Sequence, residues 1–394
     1  MKTIDQLDLA GRRVFIRVDF NVPLDGEQVT ENSRIVNALP TVRHALSAGA
    51  RVILASHLGR PKGEAKPELS LEPVAAELAR LLGRPVTMAP DCVGSEVAAM
   101  VGAMKDGDLL LLENLRFHAE EEKNDPKFAT QLAELADVYV NDAFGTAHRA
   151  HASTAGIAGH VSEVAAGFLM QREIGALAGL LESPASPFVA IVGGAKVSDK
   201  IQLLTNLLDR VDSILIGGAM AYTLLKAQGH EVGISRVEED KLELATSLLA
   251  DAKAKKVAIE LPSDHVAATE FTEDAEAVSV DSIDIGADLM GLDVGPATRH
   301  RYTKAITAAS TVLWNGPMGV FEWERFAAGT MAVAKAVADS GAMSVVGGGD
   351  SVAALVKSGR SDDITHVSTG GGASLEFLEG RTLPGIAALE VAGG

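Results

Sequence analysis

Several features are scarce in this chain of 394 residues, and each absence excludes a class of protein. Its one cysteine, Cys92, rules out an internal disulfide, and the first residues lack the apolar stretch of a signal peptide. We therefore expect a reducing, cytoplasmic setting, in which Cys92 is a packed residue rather than a nucleophile. No stretch approaches the ~18–20 consecutive apolar residues that span a bilayer, so no membrane span is expected.

Positive charge is also scarce. The 35 Lys and Arg residues stand against 53 Asp and Glu, which gives a formal net charge of −18. The resulting field repels phosphates at long range and disfavours binding to nucleic acid or to an anionic membrane. Any site for an anion must therefore be built locally.

The common local signatures of enzymes are missing as well. The chain has no Gly-Lys pair, and therefore no Walker A loop, and none of its glycine clusters completes GxGxxG. There is also no CxxC or HExxH metal site and no local Ser/His/Asp arrangement. These absences weaken a dinucleotide-binding interpretation in particular.

Length and hydrophobic pattern predict the fold class. The chain is longer than the roughly 250–300 residues at which one core stops growing, so we expect two domains. Short β-branched runs alternate with helical periods, which is typical of α/β proteins with parallel sheets. We predict two Rossmann-like doubly wound parallel-sheet domains joined by a hinge helix. The expected ranges are 1–167 for the first domain, 168–182 for the helix and 183–378 for the second domain.

Eight strands are predicted from these runs. Those of the first domain lie at 14–20, 51–56, 108–114 and 137–144, and those of the second lie within 187–200, 213–220, 310–321 and 342–351. A helix is expected after the first strand, with Asn32 or Ser33 as its N-cap and Gly49 as its stop, and Pro40 should kink it or shorten its first turn.

Cationic side chains recur just after the strands of the first domain. Ligands bind beyond the carboxyl ends of parallel strands, so these positions are the candidates for a site. Each arginine alone is interpreted as an ordinary surface residue, but several together repel one another unless a polyanion lies between them. The predicted anion cradle draws on Arg17, Asp19, Asn21, Arg34, His57, Arg60, Arg116, His148, Arg149 and His151. Asp19 either binds ligand hydroxyls or orients one of the arginines.

Glycine clusters follow the strands of the second domain. They are Gly193 and Gly194, then Gly217 and Gly218, then Gly347, Gly348 and Gly349. Glycine lets backbone amides approach a phosphate closely, although ordinary turns use it too. Lys196 and Lys200 stand four residues apart where a helix is expected to begin, an arrangement that the helix dipole disfavours unless an anion binds there.

Carboxylates and amides complete the second candidate site. Asp350 is expected at a helix N-cap, with Ser351 next to it, and serves either as a cap or as a magnesium ligand. Asn315 and Glu322 are expected on one loop, where Glu322 either binds ribose hydroxyls or is a plain surface residue. The turn at 369–377 offers a further set of backbone amides.

A cationic cradle and a site for a nucleotide with its metal together indicate phosphoryl transfer between small anions. Two alternatives come from other classes of protein: a nicotinamide-dependent dehydrogenase and a non-catalytic anion-binding protein. The missing GxGxxG disfavours the first, and the missing signal sequence disfavours the second.

Several segments resemble one known family. In chain order, RVDFNVP, SHLGRP, ENLRFH, NDAFGTAHRAH, GGAKVSDK, GLDVGP, WNGPMGVFEW, GGGDS and STGGGASLEFLEG closely resemble the phosphoglycerate kinase family of bacterial type, from end to end. The resemblance implies reversible phosphoryl transfer between 1,3-bisphosphoglycerate and ADP, giving 3-phosphoglycerate and MgATP in glycolysis. Ser351 departs from the threonine that is more frequent in the family, but it keeps the hydroxyl.

The resemblance also implies roles for individual residues. The phosphoglycerate would be bound by Asp19, Asn21, Arg34, His57, Arg60, Arg116 and Arg149. The nucleotide would be bound by Lys200, Gly217, Gly218, Asn315, Glu322, Gly347, Gly348, Gly349, Asp350 and Ser351, with Asp350 holding Mg²⁺. Arg34, Lys196, Lys200, Gly371 and Gly372 would stabilise the transferring group. Residues 379–394 would return to the first domain, and the protein would be a monomer.

Overall fold

The computed structural model describes residues 1–393. The chain forms two compact units, one from Met1–Gly175 together with the segment from Thr382 onward, and the other from Ala176–Arg381. The predicted segment 379–394 begins three residues earlier, and its last residue, Gly394, lies outside the described residues. The predicted domain ranges are retained as a proposal.

A parallel sheet forms the centre of the first unit, in the strand order β5–β6–β4–β1–β7–β8, and β2 pairs with β3 in a small antiparallel hairpin. Val14, Ile16 and Val18 alternate along β1 into the hydrophobic core on one face of the sheet. The strands are β1 (Arg13–Val18), β2 (Leu24–Asp25), β3 (Gln28–Val29), β4 (Arg51–Ala55), β5 (Thr87–Met88), β6 (Leu109–Leu111), β7 (Val138–Asp142) and β8 (Val164–Ala166).

The second unit has its own parallel sheet, in the order β11–β10–β9–β15–β16–β17, and an antiparallel sheet in the order β13–β12–β14. Trp314, on β15, is the largest side chain in its core. The strands are β9 (Phe188–Val192), β10 (Ser213–Ile216), β11 (Ala258–Glu260), β12 (His265–Ala268), β13 (Val278–Val280), β14 (Met290–Val294), β15 (Thr311–Asn315), β16 (Met343–Val346) and β17 (His366–Val367).

Helices connect the strands in both units. Those that begin in the first unit are α1 (Ser33–Ser47), α2 (Glu72–Leu82), α3 (Ser95–Ala103), α4 (Ala119–Glu122), α5 (Pro126–Ala133) and α6 (Phe168–Glu182). The second unit continues with α7 (Ile201–Leu207), α8 (Met220–Ala227), α9 (Leu242–Ala254), α10 (Pro296–Thr307), α11 (Ala328–Asp339), α12 (Gly349–Ser358) and α13 (Gly372–Leu378), before α14 (Pro384–Gly393) returns to the first unit. No helix among the described residues is long and apolar enough to cross a membrane.

The predicted fold class is confirmed, because each unit is built on a parallel sheet with helices between its strands. The predicted strands are all present, and a helix occupies 168–182 as expected. The helix after β1 starts behind Asn32 and runs unbroken through Pro40, so the prediction of a shortened first turn was wrong. The antiparallel sheet β13–β12–β14 was not predicted, since its short strands carry weak periodicity.

Each parallel sheet has a point at which the chain changes direction. From β1 the chain moves outward to β4, β5 and β6, and then crosses back to β7 on the other side of β1. The second sheet repeats this path, with β10 and β11 on one side of β9 and β15 on the other. Loops diverge from such points and leave a crevice at the carboxyl ends of the strands.

Two glycines allow close approach at the crevice of the second unit. A Cβ on Gly193, directly after β9, would clash with the carbonyl oxygen of Pro317, and a Cβ on Gly316 would clash with that of Gly193. Gly316 also has a φ of +110°, which side-chain-bearing residues rarely adopt. The backbones after β9 and β15 therefore meet without side chains between them.

We expect Gly193→Ala to lower the free energy of unfolding of the second unit by about 2 kcal/mol or more, since rigid backbone carbonyls must move to admit the methyl group. Denaturant unfolding measures this difference. Gly286→Ala is the control, because its added Cβ meets only a side-chain methyl group at 3.9 Å and the backbone is unstrained. Equal stability of the two variants would contradict the packing argument.

The second unit also contains a buried carboxylate. Asp293, on β14, accepts a hydrogen bond from the Gly329 amide through Oδ2 (2.7 Å), while its Oδ1 has no partner among the described residues. Burial raises the pKa of Asp293 to about 7, although backbone hydrogen bonds and Arg299 oppose the shift. The pKa of Asp293 is higher in the folded protein than in the unfolded protein, so protonation of Asp293 favours folding. This contribution to the free energy of unfolding is complete below about pH 4 and is lost as the pH rises through 7.

Raising the pH from 5 to 8 should therefore lower the free energy of unfolding of the wild type by on the order of 3 kcal/mol relative to Asp293→Asn. The asparagine cannot ionise, so the variant lacks this part of the pH dependence. Denaturant unfolding at both pH values gives the comparison, with the exposed Asp288→Asn as control. Parallel pH dependence in the wild type and Asp293→Asn would show that Asp293 does not titrate in this range.

Candidate functional site

The strand ends of the first unit bring the predicted anion cradle together. Asp19 follows β1, His57 follows β4, Arg116 follows β6, and Arg149 lies in the loop after β7. Arg34 is the second residue of α1 and pairs with Asp19 through its Nη1. Because β4, β1 and β7 are neighbours in one parallel sheet, their loops leave from the same edge.

Asp19 is held between a guanidinium and an imidazole. Its Oδ2 accepts a hydrogen bond from Arg34, and its Oδ1 lies 3.9 Å from Nδ1 of His57. The carboxylate is mostly buried, so this pairing offsets part of the cost of burying a charge. Of the two roles left open for Asp19, the contact supports that of orienting an arginine.

The loop after β4 is fixed on both sides at Gly59. Asn21 Oδ1 accepts from the Gly59 amide (2.8 Å), and Arg116 Nη1 donates to the Gly59 carbonyl oxygen (3.0 Å). Arg116 also lies 3.4 Å from Glu122 through its Nε. Asn21 and Arg116 therefore hold the loop that carries His57 and Arg60, in addition to any contact with a ligand.

Arg60 and Arg149 stand apart from these buried contacts. Both side chains are exposed, and Arg149 Nε donates to the neighbouring His148 Nε2 (3.2 Å). Among residues 1–393, no hydrogen bond or ion pair joins Arg60 to the other cations of the cradle. An anion bound between the buried and the exposed guanidiniums would supply the negative charge that offsets the repulsion among these cations.

The electrostatics show the cost of gathering these cations. Burial, followed by the charges of Arg17, Arg116 and Arg34, holds the pKa of His57 well below its usual range. His151, in the loop after β7, has its pKa lowered to about 3 by burial and by the charges of Arg116, Arg17 and Arg149. Both imidazoles are therefore neutral at physiological pH.

In the second unit, Asn315 connects three of the predicted elements. It is the buried last residue of β15, where its Oδ1 accepts from Nζ of Lys200 and its Nδ2 donates to the Gly347 carbonyl oxygen (3.0 Å). The Gly316 amide donates to Oγ of Ser351 (2.5 Å). The lysine, the end of β15 and the glycine turn before α12 thus form one contiguous site.

Lys200 is a half-buried cation near several carboxylates. Burial lowers its pKa, while Asp350, Asp199 and Glu379 oppose the shift. An ammonium group that is partly desolvated interacts more strongly with an anion than one in bulk water. Lys200 is therefore suited to interact with an anion.

Three local expectations for the second unit were wrong. The helix after β9 begins at Ile201, so Lys196 and Lys200 lie in the segment before it and not four apart on one helical face; Lys196 is exposed. The cap of α12 is Gly348, and Asp350 lies inside the first turn without a capping hydrogen bond. Asn315 belongs to β15, while Glu322 is exposed in the loop that follows.

A cavity of about 610 Å³ opens beside this site. Gly218, Glu322 and Asp350 line it, as predicted for a nucleotide site. Gly194, from the first predicted glycine cluster, lines it too. Most of the lining consists of residues that were not predicted: Ala195, Ala219, Tyr222, Ile234, Arg236, Phe271, Met290, Gly291, Leu292, Pro317, Gly319, Val320 and Trp323. Phe271 and Ile234 are the feature from which this cavity could have been predicted. Both side chains are exposed, and large apolar side chains in loops often mark a ligand site.

The remaining predicted glycines lie at turns around the same sheet. Gly217 follows β10, and its neighbour Gly218 donates its amide to the Met318 carbonyl oxygen (2.9 Å). Gly371 and Gly372 form the entry to α13 after β17, where Gly372 is exposed. Among residues 1–393, no hydrogen bond joins Gly371 or Gly372 to Lys200 or Asn315.

Atoms of the kind that bind metal ions occur at Asp350 and at a separate cluster in the first unit. Asp350 is exposed at the rim of the cavity, and one carboxylate beside a phosphate-bearing ligand is a donor set that suits Mg²⁺. Elsewhere, Asp91, Cys92 and His118 offer ligand atoms within 4.8 Å of one another. There the carboxylate is hydrogen-bonded to the imidazole (2.7 Å), and burial raises the pKa of the Cys92 thiol, so the sulfur is protonated and poorly suited to a metal.

Comparison with known proteins gives a consistent result along the whole chain. A family model described as "Phosphoglycerate kinase" matches residues 4–381. A protein named phosphoglycerate kinase from Anaeromyxobacter sp. (strain K) is 62% identical over 393 residues, covering 99% of each chain. Another of that name from Chloroherpeton thalassium is 58% identical and covers 98% of each chain.

Solved structures agree with the sequence relatives. The phosphoglycerate kinase of Coxiella burnetii superposes with a TM-score of 0.92 at 45% identity, covering 100% of this chain and 99% of the other. That of Pyrococcus horikoshii OT3 gives a TM-score of 0.85 at 34% identity, with the same coverage. The family model, the sequence relatives and the solved structures lead to one conclusion: the chain belongs to the phosphoglycerate kinase family.

Proposed function

We propose that the cationic cradle of the first unit and the Lys200–Asn315 site of the second bind the two substrates of one reaction. That reaction is the glycolytic one of the family, reversible phosphoryl transfer between 1,3-bisphosphoglycerate and ADP to give 3-phosphoglycerate and ATP. The chain is accordingly a phosphotransferase with a carboxyl group as acceptor. The observation that carries the assignment of substrates is the cluster of guanidiniums around a neutral, buried histidine in a protein of net charge −18.

On the substrate side, the phosphoglycerate is bound by Asp19, Asn21, Arg34, His57, Arg60, Arg116 and Arg149. Arginine forks suit its phosphate and carboxylate groups, and neutral His57 and Asn21 suit its hydroxyl. Arg34 and Arg116 are held by protein partners before the ligand arrives, which reduces the entropy lost on binding.

On the nucleotide side, the proposed binding residues are Lys200, Gly217, Gly218, Asn315, Glu322, Gly347, Gly348, Gly349, Asp350 and Ser351. The apolar cavity beside them has the size of a nucleoside site, and Glu322 on its rim is placed for ribose hydroxyls. Asp350 would hold Mg²⁺, which when bound neutralises charge on the nucleotide phosphates.

The chemistry requires charge stabilisation more than proton transfer. The acceptor in the direction of ATP consumption is a carboxylate that is already ionised at neutral pH, so no general base is needed. Arg34, Lys196, Lys200 and the amides of Gly371 and Gly372 are proposed to stabilise the negative charge of the transferring group. Neither the dehydrogenase nor the non-catalytic binding alternative is supported by the family match.

Three broader features remain proposals. The units are proposed to close around the substrates, with α6 as the hinge, because exclusion of water protects the acyl phosphate from hydrolysis. The C-terminal segment is proposed to couple the units, which its place in the first unit supports. A monomer in the cytoplasm is proposed from the family resemblance and the scarcity of cysteine.

The catalytic assignment predicts that Arg34→Ala and Lys196→Ala each lower kcat by about 100-fold or more, because each removes a donor to the transferring group. Oxidation of NADH coupled to ATP- and 3-phosphoglycerate-dependent turnover measures the rate. Arg43→Ala on α1 and Lys253→Ala on α9 are the controls, since both are charged helix residues outside the two sites. Wild-type protein that binds both substrates without turnover would overturn the function.

The metal assignment predicts that Asp350→Asn weakens binding of ADP in the presence of Mg²⁺ by at least roughly 10-fold, since a charged ligand of the ion is lost. Binding of ADP without Mg²⁺ should change little, and so should binding of 3-phosphoglycerate. Calorimetric titration under each condition gives the comparison, with the exposed Asp362→Asn as control. Equal losses with and without Mg²⁺ would place Asp350 against the nucleotide itself and not the ion.

A further inference from the structure

Arg17 is a charged residue buried inside the first unit. It lies on β1 with no measurable exposure, and each of its three nitrogens is close to a partner. Nε donates to Oγ of Ser153 (2.8 Å), Nη1 donates to the carbonyl oxygen of Val18, and Nη2 lies 3.2 Å from Nδ1 of His57. A guanidinium kept in the interior at this cost calls for a function beyond solubility.

A buried carboxylate holds Arg17 in place through a serine. Ser153 Oγ accepts from Arg17 and donates to Oε1 of Glu121 (2.6 Å), while the Ser153 amide donates to Oε2 (2.9 Å). Both oxygens of Glu121 accept hydrogen bonds, as those of an ionised carboxylate do. Polar contacts join Glu121, Ser153, Arg17 and His57 in this order and lead from the interior to the cradle.

The contact with Arg17 decides the tautomer of His57. A guanidinium has only donors and stays protonated in proteins, so the nitrogen that faces it must accept. Nδ1 of His57 therefore carries the lone pair, and the proton of the neutral ring lies on Nε2, at the opposite edge. Asp19 Oδ1, 3.9 Å from Nδ1, is too distant to compete with Arg17 for that atom.

The surroundings also keep the ring neutral. The charged and titratable groups that act on His57 are Arg17, Arg34, Arg116 and His151, with Asp19 as the carboxylate nearest the ring. The cations outnumber the carboxylate, and burial acts in the same direction as the cations, so the pKa of His57 stays low.

We propose that Arg17 is a positioning residue that holds His57 as the Nε2–H tautomer, so that His57 donates one hydrogen bond to an oxygen of the phosphoglycerate without adding another positive charge. Glu121 and Ser153 support this function by orienting the guanidinium. The proposal rests on the proposed function for the identity of the ligand, but the tautomer itself is a property of the free protein.

The first experiment is nitrogen-15 NMR of the imidazole rings in the full-length, ligand-free protein at pH 7. Loss of one ring signal in His57→Gln assigns His57. We expect the pattern of a neutral ring protonated at Nε2. A ring protonated at Nδ1, or a charged imidazolium, would overturn the proposal, whether or not the enzyme turns over phosphoglycerate.

The second experiment compares Arg17→Met and Arg17→Lys in the coupled assay. Methionine removes the donor to Nδ1, so we expect a mixture of tautomers and a KM for 3-phosphoglycerate raised about 10-fold, with the KM for MgATP unchanged. Lysine keeps one donor and should restore most of both properties. Arg51→Met, which removes a half-buried arginine from the amino end of β4, is the control for a purely structural loss.

Three results separate the possible failures. Unchanged tautomer and KM in Arg17→Met would overturn the positioning function, and equal increases in both KM values would show a general structural effect instead. If Arg17→Met does not fold, Ser153→Ala takes its place, because it keeps the guanidinium but removes its support; an unaltered His57 signal and KM there would then overturn the proposal. Absence of turnover in the wild type, with the predicted tautomer present, would count against the proposed function alone.

Discussion

Both sites depend on one constraint: a central strand pairs in parallel with the strand to which the chain crosses back. β1 pairs with β7 in the first unit, and β9 pairs with β15 in the second. In each sheet the loops on either side of this pair leave in opposite directions, so polar groups far apart in sequence meet at one edge. Asp19 and Arg149 leave from the same edge in this way, and in the second unit Lys200 contacts Asn315. Without the crossover, these residues would be unrelated loop positions.

Charge placement follows from this architecture. The protein is strongly acidic, yet the edge of its first sheet collects arginines that repel one another. Burial and these arginines hold the pKa values of two histidines low. Such an arrangement is stable only because buried carboxylates oppose the cations, with Asp19 paired to Arg34 and Glu121 joined to Arg17 through Ser153. The cradle therefore has two layers of charge. The buried carboxylates form the inner layer, which orients the arginines of the outer layer before a ligand binds.

The second site relies on backbone more than on charge. Gly193 and Gly316 let two strand ends meet, and the amide of Gly316 then reaches Ser351 while Asn315 reaches Lys200. The apolar cavity beside them is lined from several separate elements, with Tyr222 on α8 and Leu292 on β14. The cavity is a shaped, largely apolar surface with few charges, and its exposed carboxylates are those of Glu322 and Asp350.

Sequence reasoning was accurate where one local signal dominates. Buried strands such as β4 and β10 are continuous apolar runs followed by polar or glycine residues, so both the strands and the residues after them could be predicted. It was wrong where competing local signals had similar strength. Lys200 was expected inside a helix that in fact begins at Ile201, and Asp350 was expected as a cap where Gly348 performs that function. A difference of a few residues at a helix start changes which way a side chain points.

The sequence by itself determined the α/β class, the strand ends that carry chemistry and, through its segments, the family, because these depend on short-range pattern and residue identity. Only the tertiary structure decided which side chains meet. The buried chain from Glu121 to His57, the protonated nitrogen of that histidine and the residues around the cavity all depend on contacts between distant parts of the chain. Such contacts are set by strand order and packing, which leave no periodic trace in the sequence.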